Sequence, residues 1–274
     1  MKIDAHQHFW SFNPVRDSWI DGSMEILQKD FLPKHLKPIL ENNGIDGCIA
    51  VEANPSEAET QFLLQLADEN NLIKGVVGWV DLCADNVEER LKYFAENKNF
   101  KGVRALLQVE NEDFVLGEAF QNGISKLNQF NLTFDVLIFP KHLENVVKLV
   151  QAFPKQQFVI DHMAKPQISK GLDENWVKYI NQLGACENVT CKISGMVTET
   201  ENFNFQPEEF TPFLDVMVNA FGTERLLFGS DWPVCLLAAE YKSVLQIIEN
   251  YFIDFSEEEQ RQVMGGNAVK IYNL

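Results

Sequence analysis

The 274-residue chain is 46% apolar, enough for one sizeable core, and it sets 40 acidic against 23 basic side chains for a formal net charge of −17. Such a surface repels phosphate backbones and no basic cluster offsets it, which argues against a nucleic-acid partner. An anionic substrate would need local bases inside a pocket.

No apolar run is long enough to span a bilayer, so no membrane partner is expected. The n- and h-regions of a secretory signal are absent. The five cysteines form no CxxC pair, and an odd count of this kind suits reduced thiols in the cytoplasm. Asn188-Val189-Thr190 matches a glycosylation sequon but falls within an expected strand.

In chain order, short β-rich runs alternate with helical patterns. Expected strands cover residues 2–6, 47–52, 75–80, 102–106, 133–138, 157–161, 189–193 and 226–229. The first opens the chain as "MKIDAHQHFW". Side chains at i and i+2 of a strand share a face, so His6 and His8 can converge on one atom. A long connection from Phe9 to about Pro33 follows, carrying Trp10, Trp19 and Phe31. It is either a cover for the site or a packed surface flap.

"PSEAETQFLLQLADEN" begins with a Ser56 N-cap and Glu59 three residues on, a capping box. Phe62, Leu63, Leu66 and Ala67 then repeat at helical spacing. "DNVEERLKYFAEN", "GEAFQNGISKLNQF", "KHLENVVKLVQAF", "DENWVKYINQLG" and "PEEFTPFLDVMVNAFG" follow the same pattern. The C-terminal stretch reads as closing helices around Gly265-Gly266. Alternating strands and helices imply parallel βαβ units. Eight of them imply one closed (β/α)₈ TIM barrel spanning residues 1–274. An open doubly wound sheet would more often carry a Gly-rich phosphate loop after its first strand, where this chain has "HQH".

Active sites of such barrels lie at the C-terminal strand ends. There the sequence sets His6 and His8, then Trp79 and Asp81, then Arg104. The sixth strand supplies Asp161, His162 and Lys165, the seventh Lys192, Ser194 and Glu199, the eighth Ser230 and Asp231. Read one at a time, these residues have plain explanations: Arg104 pairing with Asp81, Lys165 solvated, Asp161 pointing away from His162. Read together, they form a candidate catalytic constellation. His35 and His142 are expected to be structural.

"IDAHQHFW", "KGVRALLQ", "FVIDHMAKP", "CKISGM" and "LLFGSDWPV" resemble the amidohydrolase superfamily, and more narrowly its sugar-lactonase branch, which includes L-fuconolactone, L-rhamnonolactone and pyrone-dicarboxylate hydrolases. The resemblance runs from residue 1 to "NAVKIY". It implies a distorted TIM barrel that hydrolyses a lactone, with Asp231 taking a proton from the attacking water. His6, His8 and His162 would polarise the carbonyl, directly or through one divalent ion, while Arg104 and Lys165 would hold the substrate. A binuclear centre is not expected, because the fourth strand offers Arg104, which cannot coordinate, and the fifth ends "DVLIFP" without histidine. At most one ion, zinc by ligand type, is expected on His6, His8 and Asp231 with or without His162; catalysis without metal remains open.

With Trp10, Trp79 and Trp232 to line the pocket and only two bases in it, a neutral deoxy-sugar lactone is expected over a dianionic pyrone. The alternatives are a metal-dependent decarboxylase of the same superfamily and, last, a non-catalytic barrel. The sequence carries no reading of oligomeric state.

Overall fold

A computed structural model describes all residues 1–274. Eight strands lie side by side in sequence order: β1 (Ile3–Gln7), β2 (Gly47–Val51), β3 (Ile73–Gly78), β4 (Phe100–Ala105), β5 (Thr133–Val136), β6 (Phe158–Ile160), β7 (Val189–Ile193) and β8 (Leu226–Phe228). Each is parallel to the next. The ring closes just past the strand ends. The N–H of Asp231 donates to the His6 carbonyl at 2.8 Å, and the N–H of His8 to the Trp232 carbonyl at 2.7 Å.

The helices are α1 (Pro33–Asn42), α2 (Glu57–Glu69), α3 (Val87–Ala95), α4 (Glu118–Leu127), α5 (Leu143–Ala152), α6 (Glu174–Gly184), α7 (Thr211–Phe221), α8 (Tyr241–Tyr251), α9 (Glu257–Arg261) and α10 (Asn267–Ile271). The single-domain (β/α)₈ barrel read from the alternation is the observed fold. The Ser56 cap is also found: its hydroxyl accepts from the Glu59 N–H. Helices α1 and α8 complete the alternation where sequence marks it weakly. α1 has no side-chain hydroxyl or carboxylate cap at Leu32 and carries Pro38 within it.

The outer faces of the strands pack against the helices in one large core that includes Cys48, Ala50, Phe134, Phe158 and Phe228. A smaller cluster joins Ile3, Ala5, Ile49, Val51, Val77, Val159 and Leu227 with Ala268 and Tyr272. Val77 of β3 and Val159 of β6 belong to strands that do not neighbour each other, so this cluster fills the lumen. α10 plugs it from the end opposite the strands' C-termini.

The first strand changes face on the way to the site. Asp4 pairs with Cys48 and Gln7 with Ala50, so three steps along β1 match two along β2. The extra residue is a β-bulge, a device that re-aims side chains. Before it, Ile3 and Ala5 face the lumen. After it, Gln7 points outward with its amide on Cys48 Sγ at 3.3 Å, and His6 and His8 turn in. Strict alternation from Ile3 and Ala5 would have turned both histidines out.

Candidate active site

Four groups meet above the lumen. Asp231 Oδ1 lies 3.3 Å from His8 Nε2, 3.9 Å from His6 Nε2 and 3.9 Å from His162 Nε2. The His6 ring stacks obliquely on His162 with centroids 4.3 Å apart. All four are buried. His8, His162 and Asp231 line one cavity of about 480 Å³ together with Arg104, Lys165, Gln108, Asn54 and Glu199. Trp19 and Met24 of the first connection also line it, with Phe203 and Leu237.

Backbone geometry aims these groups. His162, Met163, Ala164 and Lys165 all have positive φ, between 50° and 58°. They form one left-handed turn straight after β6, which turns both His162 and Lys165 to the cavity. Left-handed backbone costs roughly 1–2 kcal/mol per non-glycine residue, so the surroundings must hold it. Trp176 Nε1 donates to the Met163 carbonyl at 2.9 Å, the Lys165 N–H to the His162 carbonyl at 2.8 Å, and His162 Nδ1 meets Ser194 Oγ at 2.9 Å. Asp231 also has positive φ, 58°. Next to it, a Cβ on Gly229 would sit 2.6 Å from His6 Cβ, so only glycine lets β8 close against β1 there.

Tautomers follow from the partners. His8 Nδ1 lies 2.8 Å from the Val51 carbonyl, which can only accept, so Nδ1 carries a proton. His6 Nδ1 faces Asp161 Oδ1 at 3.4 Å, poorly aligned for a hydrogen bond but favouring the same tautomer. The Nε2 atoms of both rings therefore aim toward a carboxylate oxygen. Lone pairs against an anion repel, so a proton or a metal cation must stand between. An ion bound tetrahedrally at zinc distances spaces its ligand atoms roughly 3.3 Å apart. His6, His8 and Asp231 offer three ligand atoms within 4.8 Å of one another, and the donor set suits a divalent cation.

Burial drives the His6 ring well below its ordinary pKa and takes His162 down to about 4, so both are neutral near pH 7. Burial alone would raise Asp231, but in the acid range where it would take up a proton His162 is cationic, and with His8 and His6 it holds the carboxyl below its usual range.

Beneath this layer lies a buried ladder of charge that sequence reasoning missed. Arg104 Nε meets Glu52 Oε1 at 3.0 Å, Nη1 meets Asp161 Oδ2 at 3.3 Å, and Nη2 donates to the Glu52 carbonyl. Lys192 Nζ reaches Asp135 Oδ2 at 2.6 Å and Asp161 Oδ1 at 2.9 Å. Tyr272 Oη closes the ladder on Asp135 at 2.7 Å. Burial opposes the charge on Asp161, yet Lys192, His6 and Arg104 hold its carboxyl well below the usual range. The ladder was legible only as polar residues at alternate strand positions, Arg104, Asp135 and Lys192.

Several expectations need correction. Arg104 pairs with Glu52 and Asp161, not Asp81, because β4 aims it into the lumen, while Asp81 is exposed. Asp161 points into the barrel instead of away from the histidines. Trp10, Trp79 and Trp232 are not at the cavity. Trp10 donates its indole N–H to the Lys29 carbonyl at 2.9 Å and packs edge-on against Phe31, which in turn packs on Trp232. Trp79 faces a separate apolar hollow with Leu82 and Phe114. The tryptophan at the cavity is Trp19, brought there because the first connection folds as a packed flap that also covers the site. His142 is spent on the backbone at Phe139 and Glu110, and His35 caps α1.

L-Fucono-1,5-lactonases from Burkholderia multivorans and Burkholderia ambifaria are 35% and 32% identical to the chain, each match covering 100% of it and 96% of the relative. A crystal structure of an amidohydrolase from Burkholderia multivorans with bound zinc superposes with a TM-score of 0.96 at 35% identity, covering 100% of this chain and 99% of that one. The profile of the family described as Amidohydrolase matches residues 3–274. Barrel, histidine–aspartate cluster and full-length similarity agree, and the chain belongs to the amidohydrolase family.

Proposed function

We propose that the protein hydrolyses a sugar-acid lactone, an aldonolactone like L-fucono-1,5-lactone, to the open aldonic acid. The observation that carries this reading is the convergence of Asp231 with three imidazoles at the floor of one cavity. The lactonase names of the full-length relatives give the substrate class.

In this reading Asp231, kept ionised, takes a proton from the attacking water. His6 and His8, protonated at Nδ1, would act on the lactone carbonyl through a bound divalent ion, while His162, whose Nδ1 meets Ser194 Oγ, can present an Nε2–H to the oxyanion, an effect of several kcal/mol for a fixed donor. A divalent ion, zinc by ligand type, would be held by His6, His8 and Asp231, and when bound would polarise the carbonyl. A second ion has no comparable place. The other cluster of possible ligands is His6, Asp161 and His162, and Asp161 is already neutralised by Lys192 and Arg104.

Arg104 and Lys165 are the bases that would hold the substrate. Each already has an acidic partner, Lys165 with Glu199 at 3.4 Å, which favours neutral hydroxyls over a dianion. The apolar lining from Trp19, Met24 and Leu237 suits the methyl of a deoxy sugar. Decarboxylation is disfavoured, since it would draw on a histidine after β5, and His142 there is bonded to backbone. All five cysteines are unpaired, in keeping with a cytoplasmic site of action.

The test is a panel of aldonolactones against dicarboxylate pyrones, followed by proton release. Opening of a deoxyhexonolactone is expected. Preference for the dicarboxylate, or evolution of carbon dioxide, overturns the reading.

A further inference from the structure

One buried carboxylate links the long first connection to the cavity, and the chemistry above leaves it unused. Asp17 is buried and does not itself line the cavity. Its Oδ1 accepts from Asn54 Nδ2 at 2.7 Å, joining residues 37 apart in sequence. Asn54 follows β2 and lines the cavity with its neighbours Ala53 and Pro55. The other side-chain bonds of Asp17 stay within its own turn. Oδ2 accepts from the Asn13 N–H at 2.8 Å, and Arg16 donates to Oδ1 at 2.7 Å and to Oδ2 at 2.8 Å. An ionised carboxylate only accepts, so it fixes the turn of the Asn54 amide, with the NH2 toward Asp17 and the oxygen away from it. The same wall segment is held again from α2, where Glu59 Oε1 accepts from the Ala53 N–H at 3.3 Å. Just beyond Asp17 in the chain, Trp19 lines the same cavity.

We infer that Asp17 is a positioning residue for substrate recognition, setting the Asn54 amide and the Trp19 ring in one fixed relation at the cavity. The inference rests on the lactonase reading and names a further residue for it. Asn54 offers a polar group and Trp19 an apolar one, the two kinds of lining that a lactone with hydroxyls and a methyl needs. They come from separate segments, so their relation depends on what joins those segments. Pairing of Trp10 with Phe31 holds the base of the first connection. The bond from Asn54 to Asp17 holds it next to Trp19. Misplacing a binding group by about 1 Å can cost 10²-fold, so a loosened tie should register in which lactones are accepted. Arg16 and Asn13 keep the Asp17 carboxylate partnered when Asn54 is changed, which separates loss of the tie from loss of the turn.

The experiment compares the wild type with Asn54→Asp and with the double variant Asp17→Asn/Asn54→Asp. The first sets a second carboxylate against Asp17. The second restores the bond with donor and acceptor exchanged. Substrates are a deoxyhexonolactone and the hexonolactone that carries a hydroxymethyl in place of its methyl. Zinc is supplied equally throughout, and melting temperatures report folding. Asn54→Asp should lower kcat/KM by roughly tenfold to a hundredfold, raise KM more than it lowers kcat, and change the ratio of kcat/KM between the two lactones. The double variant should return KM and that ratio toward wild type. If Asn54→Asp melts below the assay temperature, Asn54→Leu takes its place with the same expected result. An equal loss on both lactones, a change in melting temperature alone, or a double variant no better than the single one overturns the role of Asp17 and leaves the lactonase reading intact. A wild type that opens neither lactone overturns both.

Discussion

The backbone N–H of Asp231 donates to the carbonyl of His6 at 2.8 Å, so the carboxylate and the first imidazole are tied by the bond that closes the barrel. Their side chains then face each other over 3.9 Å. Closure of the ring and assembly of the site are one event, with Gly229 leaving room for both.

Because that tie is made by backbone, Asp231→Asn should keep the fold and lose the chemistry. Circular dichroism and melting temperature should stay near wild type, while kcat falls on the order of 10²–10⁴-fold, the usual worth of a general base. Unchanged lactone turnover would remove Asp231 from the mechanism.

Metal binding should follow the same cluster. Wild-type protein loaded with zinc and desalted should retain at most one ion per chain by elemental analysis. His8→Ala should weaken that binding on the order of 100-fold or more. Two tightly held ions per chain would show that Asp161 ligates despite Lys192 and Arg104.

Gly195 has φ +66°, and a Cβ placed on it would lie 2.5 Å from His162 Nδ1. Gly195→Ala should therefore push on the ring that Ser194 orients. Stability should fall by about 1–2 kcal/mol from the left-handed backbone alone, and kcat should fall on the order of 10–100-fold through misplacement of His162. Full activity in a destabilised Gly195→Ala protein would mean that the ring position is not critical.

Lys192 joins two buried carboxylates and is itself fully buried. Lys192→Met fills the space but leaves Asp135 without a cation and Asp161 with Arg104 alone. Breaking a buried ionic cluster from one side costs about 3–5 kcal/mol, read by denaturant unfolding at pH 7. Adding Asp135→Asn to that variant should recover part of the loss, since the carboxylate left without a cation is then gone.

Asp4 gives a pH signature. It accepts from the Ser230 N–H at 2.9 Å and from Ser230 Oγ at 2.6 Å, yet burial outweighs these bonds and raises its pKa from 3.8 to about 6. Between those values the folded chain holds a proton that the unfolded chain releases. The Asp4 contribution to stability is therefore full below the unfolded value and is lost as pH rises through about 6. Relative to Asp4→Asn, the wild type should lose up to about 3 kcal/mol between pH 4 and pH 7. Parallel stability curves for the two proteins would show that Asp4 does not titrate in that window.

Local pattern was enough to read the barrel. Strand and helix periods, the Ser56 capping box and the count of eight units are encoded within short windows, where side-chain alternation and capping act. The polar residues at strand ends were legible for the same reason, as were the spent roles of His35 and His142. Tertiary structure alone decided which way those side chains face. A bulge in β1 shifts its register against β2 and turns His6 and His8 inward, and a left-handed turn held by Trp176 does the same for His162 and Lys165. Pairing of Arg104 with Glu52 and Asp161, and the arrival of Trp19 in place of Trp10, depend on which residues share the lumen and on how a long connection folds back. Those are contacts between distant segments, set by closure of the ring and by the energy of burying charge, and no window of sequence contains them.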